Sequence, residues 1–464
     1  MEKNSISRRT FLKSSAMAGA AGMVGTGSAA GLLTSCQQAD TGPKYTPIRE
    51  PGSYYIPGLE EVEAEGRELK IALIGCGGQG TGDLRELLQC TNNVKVTALG
   101  DMFQKGIDEA VKIVRAVKGY DVPASSCFIG LDAYKQVIDS GIDAVMLVTP
   151  PFFRSIHFQY AVEKGKHVFM EKPLFVDAAG YRSVIATQRQ LQAKNLAVIV
   201  GTQRHHERMY VEAFKLVMNG MIGDITGGTV YWNGAVPWTR ERQPGMSDAE
   251  AMIFNWVNWN WLSGDHIVEQ HVHNLDVFTW FSGLKPVAAN GVGSRHRRPS
   301  GDMFDNFSID FTMENGIHVH SMCRQISGCA GPVQEFIQGS KGSCLTDSPN
   351  RAEIKNLAGE VIWKYDKDAE KEGFKVNNPT QLELLNWINH IRAGKHIEQV
   401  SELAVSNMMA VMGRQAAYTG RIISWDDMTA SNLDLTPPDL SQSGKMDMTR
   451  YPIPVPGRGP GGRG

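Results

Sequence analysis

Three groups of residues in this chain have types and spacings suited to chemistry. The first is Gly75-Cys76-Gly77-Gly78-Gln79-Gly80, which follows the apolar run Ile71 to Ile74. An amphipathic stretch with Leu84, Leu87 and Leu88 on one helical face comes next. A strand, tight turn and helix of this kind bring backbone close to a pyrophosphate and point helix N-terminal N–H groups at it. Asp101 ends a second apolar run, 21 residues beyond Gly80. A carboxylate there can accept hydrogen bonds from a ribose diol. The second group is Glu269, His273, Asp276 and Trp280. Counted as one helix, they share a face. An acid four residues before a His can hold the imidazole in one tautomer, leaving the other nitrogen to take a proton. The third group is Trp232, Trp238, Trp256, Trp259 and Trp261. Aromatic rings stack on the C–H faces of sugars while nearby polar groups read hydroxyls. Trp256, Trp261 and Asp276 are therefore expected at a substrate.

The elements that position these residues form two blocks. From 67 to 203, strands alternate with helices, which predicts a parallel sheet with crossover helices. Strands are expected at Val94 to Leu99, Ala144 to Val148, Lys166 to Met170 and Ala197 to Val200. In such sheets, binding residues gather at the carboxyl ends of strands. Gly75, Asp101, Thr149, Glu171, Lys172 and Gln203 all fall there. From 204 to 430, a helix from about 207 to 218 precedes strands at Thr226 to Trp232, Asn306 to Met313, Gly316 to Arg324 and Gln334 to Gln338. Helices at Thr380 to Ile391 and Ser401 to Tyr418 close the block. Residues 37–66 read as a tether draped over the first domain, and 431–464 as a flexible tail.

TPPFFRSIHFQYAVEKGKHVFMEKP, together with the Gly loop, resembles the Gfo/Idh/MocA family of NAD(P)-dependent oxidoreductases. The resemblance runs from Lys70 to near Gly420. It implies an α/β fold: a Rossmann dinucleotide-binding domain followed by an α+β domain with a large, mostly antiparallel sheet. It also implies that Thr149, Pro150, His157, Glu171 and Gln203 help hold the cofactor. Lys172 would sit beside the nicotinamide and the reacting hydroxyl, where a cation stabilises a developing alkoxide. His273 would be the base, with Glu269 standing where the family usually has Asp. Arg204 and His205 are loosely similar to relatives that hydrolyse glycosides by transient oxidation, and are expected at the substrate. The cofactor is expected to be NAD rather than NADP, and the partner a sugar or polyol. The chain is expected to form a homo-oligomer. A dehydrogenase, a glycoside hydrolase using the same cofactor and a non-catalytic sugar-binding relative are the functions this pattern allows.

A formal net charge of -2 gives no case for nucleic acid. The seven cysteines contain no CxxC pair, and His205-His206 and His271-x-His273 match no zinc spacing, so no metal is expected. Ser7-Arg8-Arg9-Thr10-Phe11-Leu12-Lys13 resembles a twin-arginine export signal, and Leu33-Thr34-Ser35-Cys36 a lipoprotein processing box. Residues 1–36 are thus read as a leader. The expected location is the periplasm or cell envelope, with a lipid at Cys36 as the one membrane link.

Overall fold

The computed structural model describes residues 46–441 and 444–457. The leader with Arg8, Arg9 and Cys36, the first part of the tether and residues 458–464 lie outside them.

Among the described residues, sixteen strands form two sheets. The first holds β1 (Leu69–Ile74), β2 (Val94–Asp101), β3 (Cys127–Ile129), β4 (Ala144–Leu147), β5 (His167–Glu171) and β6 (Ala197–Gly201). The second holds β7 (Ile225–Gly234), β8 (Pro286–Ser294), β9 (Asn306–Met313), β10 (His318–Gln325), β11 (Val333–Gly339), β12 (Gly342–Asp347), β13 (Arg351–Asn356) and β14 (Val361–Lys364). Late in the chain, β15 (Ile397–Glu398) returns to the first sheet and β16 (Ile423–Ser424) to the second.

The first sheet is parallel, in the order β15-β6-β5-β4-β1-β2-β3. Its central strands are apolar on both faces, as buried parallel strands must be. β4 and β6 are buried at every residue. The order reverses between β1 and β4, so their carboxyl ends open a crevice between crossover connections. The second sheet is antiparallel except where β7 pairs parallel with β10. Strand β9 alternates between half-buried and buried residues, placing Phe307, Ile309, Phe311 and Met313 in the core. That alternation is the period of a strand covered on one face.

Three expectations about organisation are corrected. The first sheet does not end near 203. The helix Pro379–Arg392 packs Leu384, Trp387 and Ile388 into its core, Trp387 Nε1 donates to the Ala197 carbonyl at 3.2 Å, and β15 extends its edge. Burying the otherwise exposed β6 flank draws this distant segment back. The tether drapes only partly over the first domain. Glu63 accepts the Asn92 and Asn93 N–H groups and Tyr55 packs on the first-sheet core, but Ile48 N donates to the Met218 carbonyl and Arg49 Nη1 to the Trp280 carbonyl, so the start of the segment packs on helices of the second block. Finally, 431–457 is not a free tail. Leu435 N donates to Asp177 Oδ2, Met446 N to Asp248 Oδ2, and Met446 is buried.

Candidate active site

A cleft of about 470 Å³ opens where the carboxyl ends of β1, β2, β4 and β5 face the second domain. Its size suits a small molecule or cofactor. The cradle residues Gly75, Gly77, Gly78, Gln79 and Gly80 line it, with Asp101, Thr149, Pro150, His157, Glu171 and Gln203. Gly75 has φ +96, and a Cβ there would lie 2.5 Å from the Val148 carbonyl. A Cβ at Gly80 would collide with the Gly75 carbonyl oxygen. These two glycines let strand and helix close up. At Gly77 and Gly78, by contrast, an added Cβ meets nothing within 4 Å, so backbone there faces open cleft. Gly77 caps the helix Gly78–Cys90 without a side chain, and the first turn holds no acid. Free N–H groups and the positive helix end thus face the cleft, which fits a pyrophosphate.

Asp101 is held in place from both sides. Oδ2 accepts the Cys76 N–H at 2.6 Å and Oδ1 the Phe103 N–H at 2.8 Å. Burial pushes its pKa up, offset in part by these amides. Thr149 Oγ1 and His157 Nδ1 are buried polar atoms without a hydrogen-bond partner among the described residues. His157 stacks on Tyr134 at 4.2 Å, and burial brings its pKa down to about 3, so the ring is neutral. Buried groups of this kind find a partner in a functional complex, and here both face the cleft. Cradle, acid and orphaned polar atoms together fit a dinucleotide.

Lys172 Nζ donates to the Glu269 carbonyl at 2.6 Å and to Glu269 Oε1 at 3.2 Å. Arg154 holds the turn after β5 by donating to the Lys172 and Pro173 carbonyls. Its burial lowers its pKa to about 10. Glu171 is buried behind Lys172 and its pKa is raised by that burial. His273 lies on the cleft wall, stacked on Trp232 at 5.6 Å. Burial, then Lys172, Arg204 and His205, hold its pKa well below 6.5, so it is a neutral imidazole.

The expected geometry around His273 is corrected in two respects. Glu269 and His273 do not share a helix: His266–Glu269 ends at Gln270, and a new helix, Val272–Ser282, begins. At the break, His271 Nε2 lies 2.7 Å from Ser321 Oγ on β10. Glu269 therefore pairs with Lys172 rather than orienting His273. The second correction concerns the substrate set. Trp256 lines the cleft, but Arg204, His205, Trp261 and Asp276 do not. Arg204 Nη1 donates to Glu335 Oε1 at 2.5 Å, and its guanidinium lies 5.8 Å over Trp232. His205 Nε2 and Asp276 Oδ2 are 2.7 Å apart, and His205 stacks on Trp280 at 4.1 Å. Trp261 is buried edge-on against Phe152. Arg204, His205 and Asp276 have polar partners inside the protein, and Trp261 sits in an apolar cluster.

Several cleft residues carried no clear sequence signal. Glu383, from the helix Pro379–Arg392, is buried with Oε1 3.6 Å from His206 Nδ1, and burial, then Glu171 and Asp83, drive its pKa far up. Arg154 stood unnoticed in the motif beside His157. Among the described residues, no group of three His, Cys, Asp or Glu is arranged to hold a metal.

Comparison with known proteins agrees with this architecture. Residues 69–211 match the Gfo/Idh/MocA oxidoreductase family with its NAD-binding Rossmann fold. Residues 210–345 match a C-terminal domain of the same family, and 5–25 a twin-arginine translocation signal sequence, the mark of export by that route. A glycosyl hydrolase family 109 protein of Shewanella pealeana is 22% identical over 82% of this chain and 82% of its own. An inositol 2-dehydrogenase of Rhodococcus jostii is 23% identical over 70% of this chain and 82% of its own. The scyllo-inositol dehydrogenase of Lactobacillus casei, solved with NAD(H) and scyllo-inositol, superposes with a TM-score of 0.58. It is 20% identical, over 77% of this chain and 99% of that one. The chain belongs to the Gfo/Idh/MocA family of NAD(P)-dependent oxidoreductases.

Proposed function

We propose that the cleft oxidises a secondary hydroxyl of a sugar or polyol, with NAD held as the hydride acceptor. The observation that carries this reading is the pairing, on one cleft wall, of the Lys172 ammonium with a neutral His273, beside the glycine cradle. A bound nicotinamide supplies the hydride acceptor and leaves charge and proton handling to the protein. Gly77 and Gly78 would take the pyrophosphate, Asp101 the adenosine ribose, and Thr149, His157, Glu171 and Gln203 the nicotinamide half. Lys172 stabilises negative charge on the substrate oxygen as its O–H bond breaks. His273 accepts that proton at a ring nitrogen while the carbon–oxygen double bond forms. Glu269 fixes the ammonium through its carbonyl and carboxylate. The Asp101 charge repels a 2′-phosphate, favouring NAD over NADP; NADP released from purified protein would contradict this.

A second reading has its own support, the similarity to the glycosyl hydrolase family 109 protein along most of both chains. A ketone acidifies the neighbouring C–H, loss of that proton expels a glycosidic group, water adds across the resulting double bond, and return of the hydride restores the hydroxyl. The same residues serve both outcomes. Holoenzyme is incubated in deuterated water with aryl glycosides and with free sugars. A keto sugar with stoichiometric NADH supports the dehydrogenase. Aglycone release with deuterium beside the anomeric carbon, and no net NADH, supports the hydrolase.

Cys36 is proposed as the lipidated first residue of the mature protein. Cys36→Ser should abolish processing and move the protein from membrane to soluble fractions; unchanged fractionation would contradict the anchor. A homo-oligomer belongs to the same reading, and light scattering on the processed protein tests it.

A further inference from the structure

One wall of the cleft comes from neither the Rossmann strands nor the second sheet. The segment from Pro237 to Val257 leaves β7 and crosses to the end of β2, lining the cleft with Trp238, Arg240, Phe254 and Trp256. The Phe254 ring meets Phe103 edge-on at 5.7 Å. Phe103 stands two residues beyond Asp101, at the adenosine end of a Rossmann crevice. The Arg240 guanidinium lies 4.0 Å over the Trp238 ring and 5.1 Å over Phe254.

Three cations line the cleft: Arg154, Lys172 and Arg240. Arg154 is engaged by two carbonyls and Lys172 by Glu269. Arg240 has no carboxylate in ion-pair range among the described residues; its Nη1 reaches the Phe254 carbonyl at 3.4 Å. A guanidinium held against two aromatic rings, with no acid in range among the described residues and lining a cleft, is set up for an anion. The segment is also firmly built. Ser247 and Glu250 form a capping box on the helix Asp248–Phe254. Met252 and Ile253 pack with Phe152, Trp261 and Met446. Met446 comes from the C-terminal run, whose Tyr451 packs on Trp259 at 5.9 Å.

We propose that Pro237–Val257 is a cofactor clasp: Phe254 against Phe103 closes the adenosine end, and Arg240 takes the pyrophosphate charge. The inference rests on the nucleotide reading above and goes beyond it, because it makes the dinucleotide a retained group rather than an exchanging one. Retention suits a chain that leaves the cytoplasm with its ligand already enclosed.

The test is made on purified, processed protein. Nucleotide content after gel filtration is read by native mass spectrometry, and its release rate by dilution into excess ADP-ribose. Wild-type protein should keep its nucleotide, and Arg240→Ala and Phe254→Ala should each release it at least about tenfold faster. Stripped protein is then titrated with ADP-ribose and with adenosine. Arg240→Ala should weaken ADP-ribose alone, and Phe254→Ala should weaken both. Arg240 is exposed, so its variant decides the matter if Phe254→Ala does not fold. Unchanged release and affinity in the variants, with wild-type protein loaded, overturn the clasp. Wild-type protein that binds no nicotinamide nucleotide overturns the underlying reading instead.

Discussion

Two cation–carboxylate pairs bear on His273, and their surroundings differ. Glu335, on β11, is saturated. Oε1 accepts Arg204 Nη1 and Asn274 Nδ2, both at 2.5 Å, and Oε2 accepts Tyr210 OH at 2.9 Å and Thr346 Oγ1 at 2.6 Å. Glu269, in the cleft, gives the Lys172 ammonium one 3.2 Å contact from its carboxylate. The Arg204 and Glu335 side chains are 5% and 0% exposed, those of Lys172 and Glu269 13% and 14%. The first pair holds a wall: Arg204 lies over Trp232, and Trp232 stacks on His273. The second keeps an ammonium at the edge of a cleft with a donor to spare. A charge with all its partners inside the protein is support, whereas a charge held loosely beside orphaned polar atoms is where a ligand is handled.

The largest effects should separate the pairs by kind. Lys172→Met is expected to cost about 10²–10⁴-fold in the rate of hydride transfer, by analogy with loss of one positioned catalytic group, while melting near wild type. Glu335→Ala strands Arg204 as a buried charge and should cost roughly 3–5 kcal/mol of stability, read from the denaturant midpoint. A Glu335→Ala protein of wild-type stability would break the comparison.

Glu269→Gln sharpens it. The side chain keeps its length and the main-chain carbonyl still holds Lys172, so the rate should fall by about tenfold, or ~1.4 kcal/mol of barrier. If its loss equalled that of Lys172→Met, Glu269 would have a more direct part in the chemistry.

The pH profile is a smaller and more specific test. His273 acts as a base only when neutral, so rate is lost as pH falls through its pKa in the folded protein. Burial, Lys172, Arg204 and His205 all push that pKa below 6.5. The acid limb of kcat should therefore lie below the ordinary histidine value, and His273→Ala should abolish it. Arg204→Met removes one of these charges and should move the limb upward. An acid limb at or above 6.5 in wild-type protein would contradict a neutral, depressed His273.

The smallest expected effect is at Trp256. Loss of a stacking surface is worth roughly 0.5–1.5 kcal/mol, so Trp256→Ala should raise KM by about two- to tenfold and leave kcat nearly unchanged. A fall in kcat with constant KM would move Trp256 from binding to chemistry.

The parts legible in the sequence are those encoded locally. The glycine loop, Asp101 and the Glu171-Lys172 strand end lie at the carboxyl ends of strands in one parallel sheet, so reading each strand also told where its end would face. What escaped depends on distant partners. Arg204 and Asp276 look like polar substrate contacts until Glu335 and Ser406, far along the chain, bond to them. The Glu269–His273 spacing was sound only for an unbroken helix. The segment breaks at Gln270 and His271, and His271 Nε2 lies 2.7 Å from Ser321 Oγ on a distant strand. Glu383 and β15 reach the Rossmann domain only because the chain doubles back after the second sheet.

The central claim is that Lys172 and His273 form a chemical pair on a nicotinamide cleft, with Arg204 and Glu335 as its support. A single turnover of nucleotide-loaded protein with a polyol deuterated at the reacting carbon tests it most directly, followed by the absorbance of reduced nicotinamide. The account predicts reduction in wild-type protein with a primary isotope effect, and loss of the reaction in both Lys172→Met and His273→Ala with nucleotide still bound. Variants that retain nucleotide and reduce it within about tenfold of the wild-type rate would contradict it.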